Sequence, residues 1–285
     1  MNLLHALGEM SLDTCRVMGI VNRTPDSFYD GGRMDLETAT EHALRLVEEG
    51  ADILDLGAIK AGPGDPVEEQ EEAERLIPLV RAVADRTDVT LSIETSRPSV
   101  ARLGIEAGAA IVNDVSGLTD PELAAACAAT GAGLILMHNG GQVRGRPRAP
   151  RYTDVVAQVI EDLRRLADLA SSAGVDPSSI VFDAGLDFGK NTFQSLELVR
   201  RTEELAATGH PYLVAPSRKD VVGETLDLGP DERLEGSLAL VALSVEKGAH
   251  IVRVHDVAAT VRVVRMVEAV MGRRSPINPV RGLWD

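Results

Sequence analysis

Cationic and aromatic residues are both scarce in this chain of 285 residues. It carries 29 lysines and arginines against 44 aspartates and glutamates, which gives a formal net charge of −15. Nucleic acids and anionic membrane surfaces both favour cationic partners, so this balance argues against either of them. Aromatic residues make up 3% of the chain, whereas hydrophobic residues make up 44%. The core must therefore be aliphatic, which suits a parallel sheet covered by helices.

Cysteine is also rare, since Cys15 and Cys127 are the two in the chain. No Cys-x-x-Cys or Cys/His spacing predicts a zinc site, and the usage favours a reducing cytoplasm, which is the expected location. No apolar run approaches the length of a transmembrane helix. The first residues, MNLLHALGEMSLDT, lack a basic segment and a long apolar run, so they are not expected to form a signal peptide.

Short aliphatic runs alternate with longer segments of helical periodicity. The strand-like runs are Arg16–Asn22, Asp52–Gly57, Thr90–Glu94, Ala110–Asp114, Gly133–His138, Ile180–Asp183, Tyr212–Ala215 and His250–His255. The helix-like runs are Leu36–Glu49, Glu68–Arg86, Pro98–Ala107, Pro121–Thr130, Thr153–Ala173, Phe193–Ala207, Leu234–Lys247 and Val257–Met271. A proline within the second of these, Pro78, predicts a kink or a split.

Eight strand–helix units in this order predict an α/β fold, a single-domain (β/α)₈ TIM barrel. We expect the barrel to cover residues 16–272, between an N-terminal extension at 1–15 and a C-terminal tail at 273–285. A doubly wound sheet is the alternative. No G-x-G-x-x-G follows the first strand and no P-loop is present, which counts against that alternative.

Polar residues stand at or just after the end of nearly every strand-like run. They are Asn22, Asp55, Glu94, Asn113, His138, Asp183, Lys219, Arg253 and His255. Taken singly, such residues are more often turn formers, helix caps or solvated side chains than functional groups. In a TIM barrel, however, the carboxyl ends of all strands meet at one face, where active sites lie. Their recurrence therefore predicts a shared functional site.

Several motifs, in order and spread over nearly the whole chain, carry a family resemblance. They are MGIVNRTPDSFYDGG (18–32), ILDLG (53–57), IVND (111–114), MH (137–138), FGK (188–190), SRK (217–219) and RVHDV (253–257). Together they resemble dihydropteroate synthase. The combination of NRTPDSF with SRK favours this family over methyltetrahydrofolate-dependent methyltransferases, which share the barrel. A Schiff-base aldolase built on Lys219 is a further alternative.

The resemblance implies a TIM barrel, usually a homodimer, that joins 4-aminobenzoate to 6-hydroxymethyl-7,8-dihydropterin pyrophosphate with Mg²⁺ and releases pyrophosphate. The positions that match the family's pterin site are Asp55, Glu94, Asn113, Met137, Asp183, Phe188, Lys219 and Arg253. Of these, Asp55, Glu94, Lys219 and Arg253 are the implied catalytic residues. The implied pyrophosphate residues are Asn22, Arg253 and His255, and Asn22 is also the implied Mg²⁺ ligand.

Departures from the family's motifs are concentrated on the side that would receive the aminobenzoate. Where the family has Thr and Arg after the second strand, this chain has Ala61 and Gly62, and where the family has Ser after SRK it has Asp220. A carboxylate beside a second anion would repel it by roughly 1–4 kcal/mol. The family's third-strand Asp is Glu94 here. These changes predict a paralogue that keeps the pterin site but has weak or no activity with 4-aminobenzoate.

Three other functions remain open from the sequence. The chain could be a fully active synthase in which Lys60 replaces the missing arginine. It could join the same pterin to a different amine. It could also be a non-catalytic protein that binds pterins or regulates a partner.

Overall fold

Eight parallel strands close into one barrel in chain order, and β1 pairs with β8 to complete it. The computed structural model describes residues 12–23, 35–59, 67–141 and 151–281. The strands are β1 (Arg16–Asn22), β2 (Ile53–Gly57), β3 (Thr90–Glu94), β4 (Ile111–Asp114), β5 (Gly133–Met137), β6 (Ile180–Asp183), β7 (Tyr212–Val214) and β8 (Ile251–Val254). The predicted TIM barrel is confirmed, and the doubly wound alternative is wrong.

Helices follow every strand and cover the outside of the barrel. Within the described residues they are α1 (Leu36–Glu48), α2 (Glu69–Ala84), α3 (Pro98–Glu106), α4 (Glu122–Thr130), α5 (Val155–Ser172), α6 (Thr192–Arg200), α7 (Thr202–Ala206), α8 (Asp220–Leu226), α9 (Leu234–Glu246) and α10 (Val257–Val270). No helix among them combines the length and the apolar character that crossing a bilayer requires.

The helix boundaries differ from the sequence prediction at three places. The segment predicted as one helix at Phe193–Ala207 is two, α6 and α7, which meet at Arg201. Helix α8, the next element after β7, was not predicted. Helix α2 runs through Pro78 without a split. A proline leaves the carbonyl four residues earlier without its helical donor, and that residue, Glu74, is exposed, so water can supply one.

Two layers of side chains fill the inside of the barrel. The lower layer is apolar and consists of Met18, Ile53, Ile111, Ile135, Val181, Leu213, Ala215 and Ile251. Side chains on a strand alternate between its two faces, so the residue two positions later points to the same side. On five strands that next residue lies nearer the carboxyl end and belongs to the predicted site: Asp55, Asn113, Met137, Asp183 and Arg253. The polar residues therefore lie directly above an apolar floor.

Two loops at the carboxyl end of the barrel pack backbone against backbone. Gly140 follows β5 and Gly189 follows β6, and both have positive φ, +67° and +62°. A Cβ on Gly189 would lie 2.7 Å from Asn139 O and 2.7 Å from the Cα of Gly140. The hydroxyl of Tyr152 donates a 2.9 Å hydrogen bond to Gly189 O. The β6–α6 loop is thus held against the end of β5 with no space for a side chain between them.

The limits predicted for the N-terminal extension (1–15) and the tail (273–285) stay predictions. The structure describes residues 12–15 and 273–281 of these segments.

Candidate functional site

One arginine joins the two buried carboxylates in the mouth of the barrel. Arg253 donates from Nε to Asp55 Oδ2 at 2.6 Å and from Nη2 to Glu94 Oε2 at 2.5 Å. Asp55 is fully buried and also accepts hydrogen bonds from Ser92 Oγ at 2.6 Å and Asn113 Nδ2 at 2.9 Å. Side chains from β2, β3, β4 and β8 are therefore fixed in one hydrogen-bonded group.

Burial sets the protonation of this group. It raises the pKa of Glu94 to about 7, against the lowering effect of Arg253, and the nearby charge of Asp55 adds to the rise. Although burial alone would lower the pKa of Arg253, Asp55 and Glu94 raise it above its ordinary value. Arg253 therefore stays charged, while Glu94 can gain or lose a proton near neutral pH.

An acceptor atom next to this group has no hydrogen-bond partner among the residues that the structure describes. The amide nitrogen of Asn113 is used by Asp55, but its Oδ1 is buried and receives no hydrogen bond from the described residues. Buried polar atoms are almost always paired, so an orphan of this kind favours a ligand that carries a donor.

The opposite side of the mouth is formed by β6 and the segment before α8. Asp183 is buried, and its Oδ1 accepts a 2.7 Å hydrogen bond from the backbone N–H of Gly185. Burial raises the pKa of Asp183, and Lys219 lowers it. The ammonium of Lys219 donates to Leu186 O at 2.8 Å and lies 5.0 Å from the centre of the Phe188 ring, a cation–π distance. Met137 is buried and pairs in register with Asp183.

Two of the predicted residues lie further out on the rim. Asn22 ends β1 and pairs in register with Gly57 of β2. Its side chain lies against Gly57, because a Cβ added to that glycine would lie 3.0 Å from Asn22 Oδ1. His255 is exposed, and its Nδ1 lies 3.0 Å from Ser217 Oγ. The structure thus places the eight predicted pterin residues and the predicted pyrophosphate residues at one end of the barrel. Lys60, Ala61 and Gly62 lie outside the described residues.

Comparison with known proteins gives the relatives of this chain. Residues 18–255 match the family described as pterin binding enzyme. The chain is 45% identical over 281 residues to "Inactive dihydropteroate synthase 2" of Mycobacterium leprae (strain TN), covering 96% of this chain and 97% of that protein. It is 41% identical over 272 residues to dihydropteroate synthase of Escherichia coli (strain K12), covering 93% and 95%. Xanthomonas albilineans dihydropteroate synthase, solved with 4-aminobenzoic acid, superimposes with a TM-score of 0.86 at 41% identity, covering 92% of this chain and 95% of that one.

The chain belongs to the pterin-binding enzyme family. It is dihydropteroate synthase-like, as its motifs indicate, and the relatives that it matches include both an inactive and an unqualified synthase.

Of the departures on the aminobenzoate side, Asp220 lies within the described residues, and its surroundings modify the prediction made from it. Asp220 is the first residue of α8, where a negative charge favours the helix N-terminus. Its Oδ1 accepts a 3.1 Å hydrogen bond from Arg233 Nη1, and its side chain is 49% exposed. Arg233 and solvent both weaken the field of this carboxylate. The repulsion of a second anion is therefore expected at the low end of the predicted range.

Sequence reasoning missed several residues that shape this candidate site. Ser92 stands two residues before Glu94, so strand alternation would have placed it on the same inward face. Arg233 lies thirteen residues after Asp220 and beyond a turn, and no sequence pattern connects them. Asp187 accepts hydrogen bonds from the N–H of Val221 and from Ser195 Oγ, which join the β6–α6 loop to α8 and to α6 respectively.

The raised pKa of Glu94 predicts a pH-dependent contribution to stability. The folded-state pKa, about 7, lies above the ordinary value of 4.5. Glu94 therefore contributes stability that is fully present below pH 4.5 and is lost as the pH rises through 7. Relative to Glu94→Gln, the wild type should lose at most about 3 kcal/mol of unfolding free energy between pH 4.5 and pH 8.

Urea denaturation of both proteins across this range measures the difference. Glu122→Gln, at an exposed position on α4, is the matched control and should follow the wild type at every pH. Wild-type and Glu94→Gln curves that run parallel would show that Glu94 does not titrate in this window.

Proposed function

We propose that this protein binds 6-hydroxymethyl-7,8-dihydropterin pyrophosphate and condenses it weakly or not at all with 4-aminobenzoate. The observation that carries the first half is the ring of buried donors and acceptors at the barrel mouth. Asp183, the free oxygen of Asn113, Lys219 and Arg253 converge there above an apolar floor. Family membership supports a transferase-type site of folate synthesis.

The residue types match the edges of a pterin. The amidine-like edge of the ring offers two N–H donors, which a buried carboxylate such as Asp183 can accept together. Asn113 Oδ1 would accept a further donor. The ammonium of Lys219 would meet the ring carbonyl. The flat guanidinium of Arg253 can lie against the ring while it remains bonded to Asp55 and Glu94.

The same arrangement can assist departure of the leaving group. Loss of diphosphate leaves positive charge on the pterin methylene, which the carboxylates of Asp55 and Glu94 would stabilise. The guanidinium of Arg253 and the ring of His255 would face the diphosphate. The charge of Arg253 and the dipole of the neutral His255 ring, whose pKa desolvation lowers to about 4, are fixed in place. Groups of this kind stabilise a transition state because they need no reorganisation when the bond breaks.

The oxygen of Asn22, the Mg²⁺ ligand implied by the family resemblance, is compatible with binding this ion. The described residues contain no group of three or more His, Cys, Asp or Glu side chains placed to hold a metal. Mg²⁺ bound with a diphosphate needs only one or two protein oxygens, because water and phosphate supply the others. Asn22 Oδ1, at the end of β1, is a hard oxygen donor of this kind. When bound, the ion would offset the negative charge of the departing diphosphate.

The second half of the proposal depends on the acceptor side. Ala61 and Gly62 supply neither the hydroxyl nor the cation that the dihydropteroate synthase motif has there, and Asp220 adds a carboxylate. The 45% identity to a protein named as an inactive synthase supports weak activity. The 41% identity to the Escherichia coli synthase favours the alternative, an active enzyme, and turnover decides between them.

Pterin binding predicts a specific loss of affinity when the buried carboxylate is neutralised. Asp183→Asn should weaken binding of 6-hydroxymethyl-7,8-dihydropterin pyrophosphate at least tenfold, since charged hydrogen bonds contribute about 1.5–3 kcal/mol. Calorimetric titration measures the affinity. Asp231→Asn, which changes an exposed carboxylate, is the control and should bind as the wild type does. A wild type with no measurable affinity would refute the proposed function.

Weak condensation predicts a gain of activity on restoring the family's residues. Ala61→Thr/Gly62→Arg/Asp220→Ser together should raise pyrophosphate release with 4-aminobenzoate about a hundredfold, because leaving-group contacts are worth roughly 2–4 kcal/mol. Asp220→Ser alone should give a smaller rise, because Arg233 already offsets that charge. Asp231→Ser is the control. A wild type as fast as the Escherichia coli synthase, assayed beside it, would establish the active alternative instead.

A homodimer is the assembly proposed for this chain. Helices α9 and α10 pack side by side and expose Leu243, Met266 and Val270, of which Val270 is 76% exposed. Large exposed apolar side chains on adjoining helices favour a protein interface. Met266→Glu/Val270→Glu should convert dimer to monomer in sedimentation velocity, whereas Leu169→Glu, on α5, should not. A monomeric wild type at micromolar concentration would contradict the proposal.

A further inference from the structure

A buried lysine beside the site has no role in the proposed function described so far. Lys190 ends the β6–α6 loop and its side chain is 4% exposed. Its ammonium contacts four acceptors at hydrogen-bonding distance: Phe188 O at 2.7 Å, Gly185 O at 3.0 Å, His138 O at 3.0 Å and His138 Nδ1 at 2.9 Å. Two acceptors belong to its own loop and two to the residue that follows β5. Lys190 therefore joins two segments of the barrel mouth.

The number of hydrogens on this nitrogen decides how many of these contacts are satisfied. A charged ammonium has three N–H donors, enough for the three carbonyl oxygens, and it can share one with the imidazole. A neutral amine has only two, so at least one buried carbonyl would lose its partner. An unpaired buried acceptor is costly. The charged form is thus the one that holds the two segments together.

His138 is oriented to accept from Lys190. Its Nε2 lies 3.2 Å from Asp162 Oδ2 on α5, which places the ring hydrogen on Nε2 and leaves the lone pair of Nδ1 facing Lys190. Burial and the charge of Lys190 lower the pKa of His138 to about 4, so the ring is neutral at physiological pH. Asp162 supplies a negative charge at the far end of this chain of contacts.

The loop that Lys190 holds carries three contacts of the candidate site. The N–H of Gly185 fixes Asp183, the carbonyl of Leu186 accepts from Lys219, and the ring of Phe188 lies beside the Lys219 ammonium. Lys190 binds the carbonyls of Gly185 and Phe188, which flank Leu186. A shift of the loop would therefore displace all three site contacts at once.

We propose that Lys190 is a positioning residue whose ammonium holds the β6–α6 loop against the end of β5, so that ligand affinity at the barrel mouth depends on its charge. This inference rests on the proposed pterin site and adds a control of that site by pH. It assigns Lys190, His138 and Asp162 a joint role that does not require any of them to touch the ligand.

The surroundings of Lys190 place the loss of its charge near neutral pH. Burial lowers the pKa of Lys190 to about 7, Asp183 of β6 opposes this, and Lys219 before α8 adds to it. Asp187 in the same loop and Asp162 on α5 also raise it. Below pH 7 Lys190 is charged and the loop is held, and above pH 7 the charge is lost, so affinity should fall as the pH rises.

The test is calorimetric titration with 6-hydroxymethyl-7,8-dihydropterin, the alcohol, which carries no phosphate to titrate in this range. Wild-type affinity should fall by up to about thirtyfold between pH 6 and pH 8.5, as the charged fraction falls. Lys190→Met should bind at least tenfold more weakly than the wild type at pH 6. Its affinity should change less with pH than that of the wild type, and the remaining change should be due to Glu94, whose pKa is also about 7. Lys247→Met, at a surface lysine paired with Glu203, should retain the wild-type profile.

A milder variant covers the case in which Lys190→Met does not fold. Asp162→Asn removes a charge that raises the pKa of Lys190, so its affinity profile should keep the wild-type value at low pH but shift its midpoint to lower pH. A purely structural role for Lys190 would lower stability without moving that midpoint. An unchanged midpoint in Asp162→Asn, or the full wild-type profile in Lys190→Met, would overturn the proposal.

A measurement without ligand separates this proposal from the proposed function. In Phe188→Trp/Trp284→Phe, the new tryptophan reports the loop position by fluorescence. Its emission should change with pH around a midpoint near 7 and move with Asp162→Asn. If the wild type binds no pterin at any pH, the proposed function fails while this readout still decides the role of Lys190. Emission that is flat between pH 6 and pH 8.5 would refute that role.

Discussion

The bond between Arg253 and two carboxylates is the interaction on which the site depends. Asp55 and Glu94 come from neighbouring strands and are both buried, and two negative charges there would be unfavourable without a cation between them. Arg253 reaches them from β8, because the closed barrel brings β8 beside β1 and across from β3. Strand alternation then places an apolar residue beneath Asp55 and Arg253, Ile53 and Ile251. Beneath Glu94 it places Ser92, which donates a hydrogen bond to Asp55.

The barrel could be predicted from the sequence because its signal is repeated. Aliphatic runs bounded by polar residues recur eight times, so an error of one residue at a boundary does not change the architecture. The convergence of Asp55, Glu94, Asn113 and Arg253 followed from the same repetition, since all stand near the carboxyl ends of their strands. Helix α8 was missed because it is too short to show a periodic pattern. The break at Arg201 was missed because the helical pattern of the sequence continues through it.

Partners that depend on tertiary structure could not be predicted in this way. In the sequence, Asp220 has no evident partner for its charge. Only the fold shows that Arg233 lies beside it and that it stands at the N-terminus of α8. Lys190 reads as the end of a glycine-rich loop, although it is buried among carbonyl oxygens. The spacing between such partners is set by the path of the chain rather than by the period of a strand or helix. Such partners can be identified only from the folded structure.

The contact between Gly140 and Gly189 has a consequence for how proteins of this kind can diverge. Because the two backbones touch, a side chain at either glycine would clash with the other loop, so a single substitution there is expected to destabilise the mouth unless the opposite loop moves. The half-exposed position of Asp220 imposes no such coupling, so drift can proceed one residue at a time at the outer rim. A barrel built in this way can change at its outer rim more readily than where its loops pack backbone against backbone.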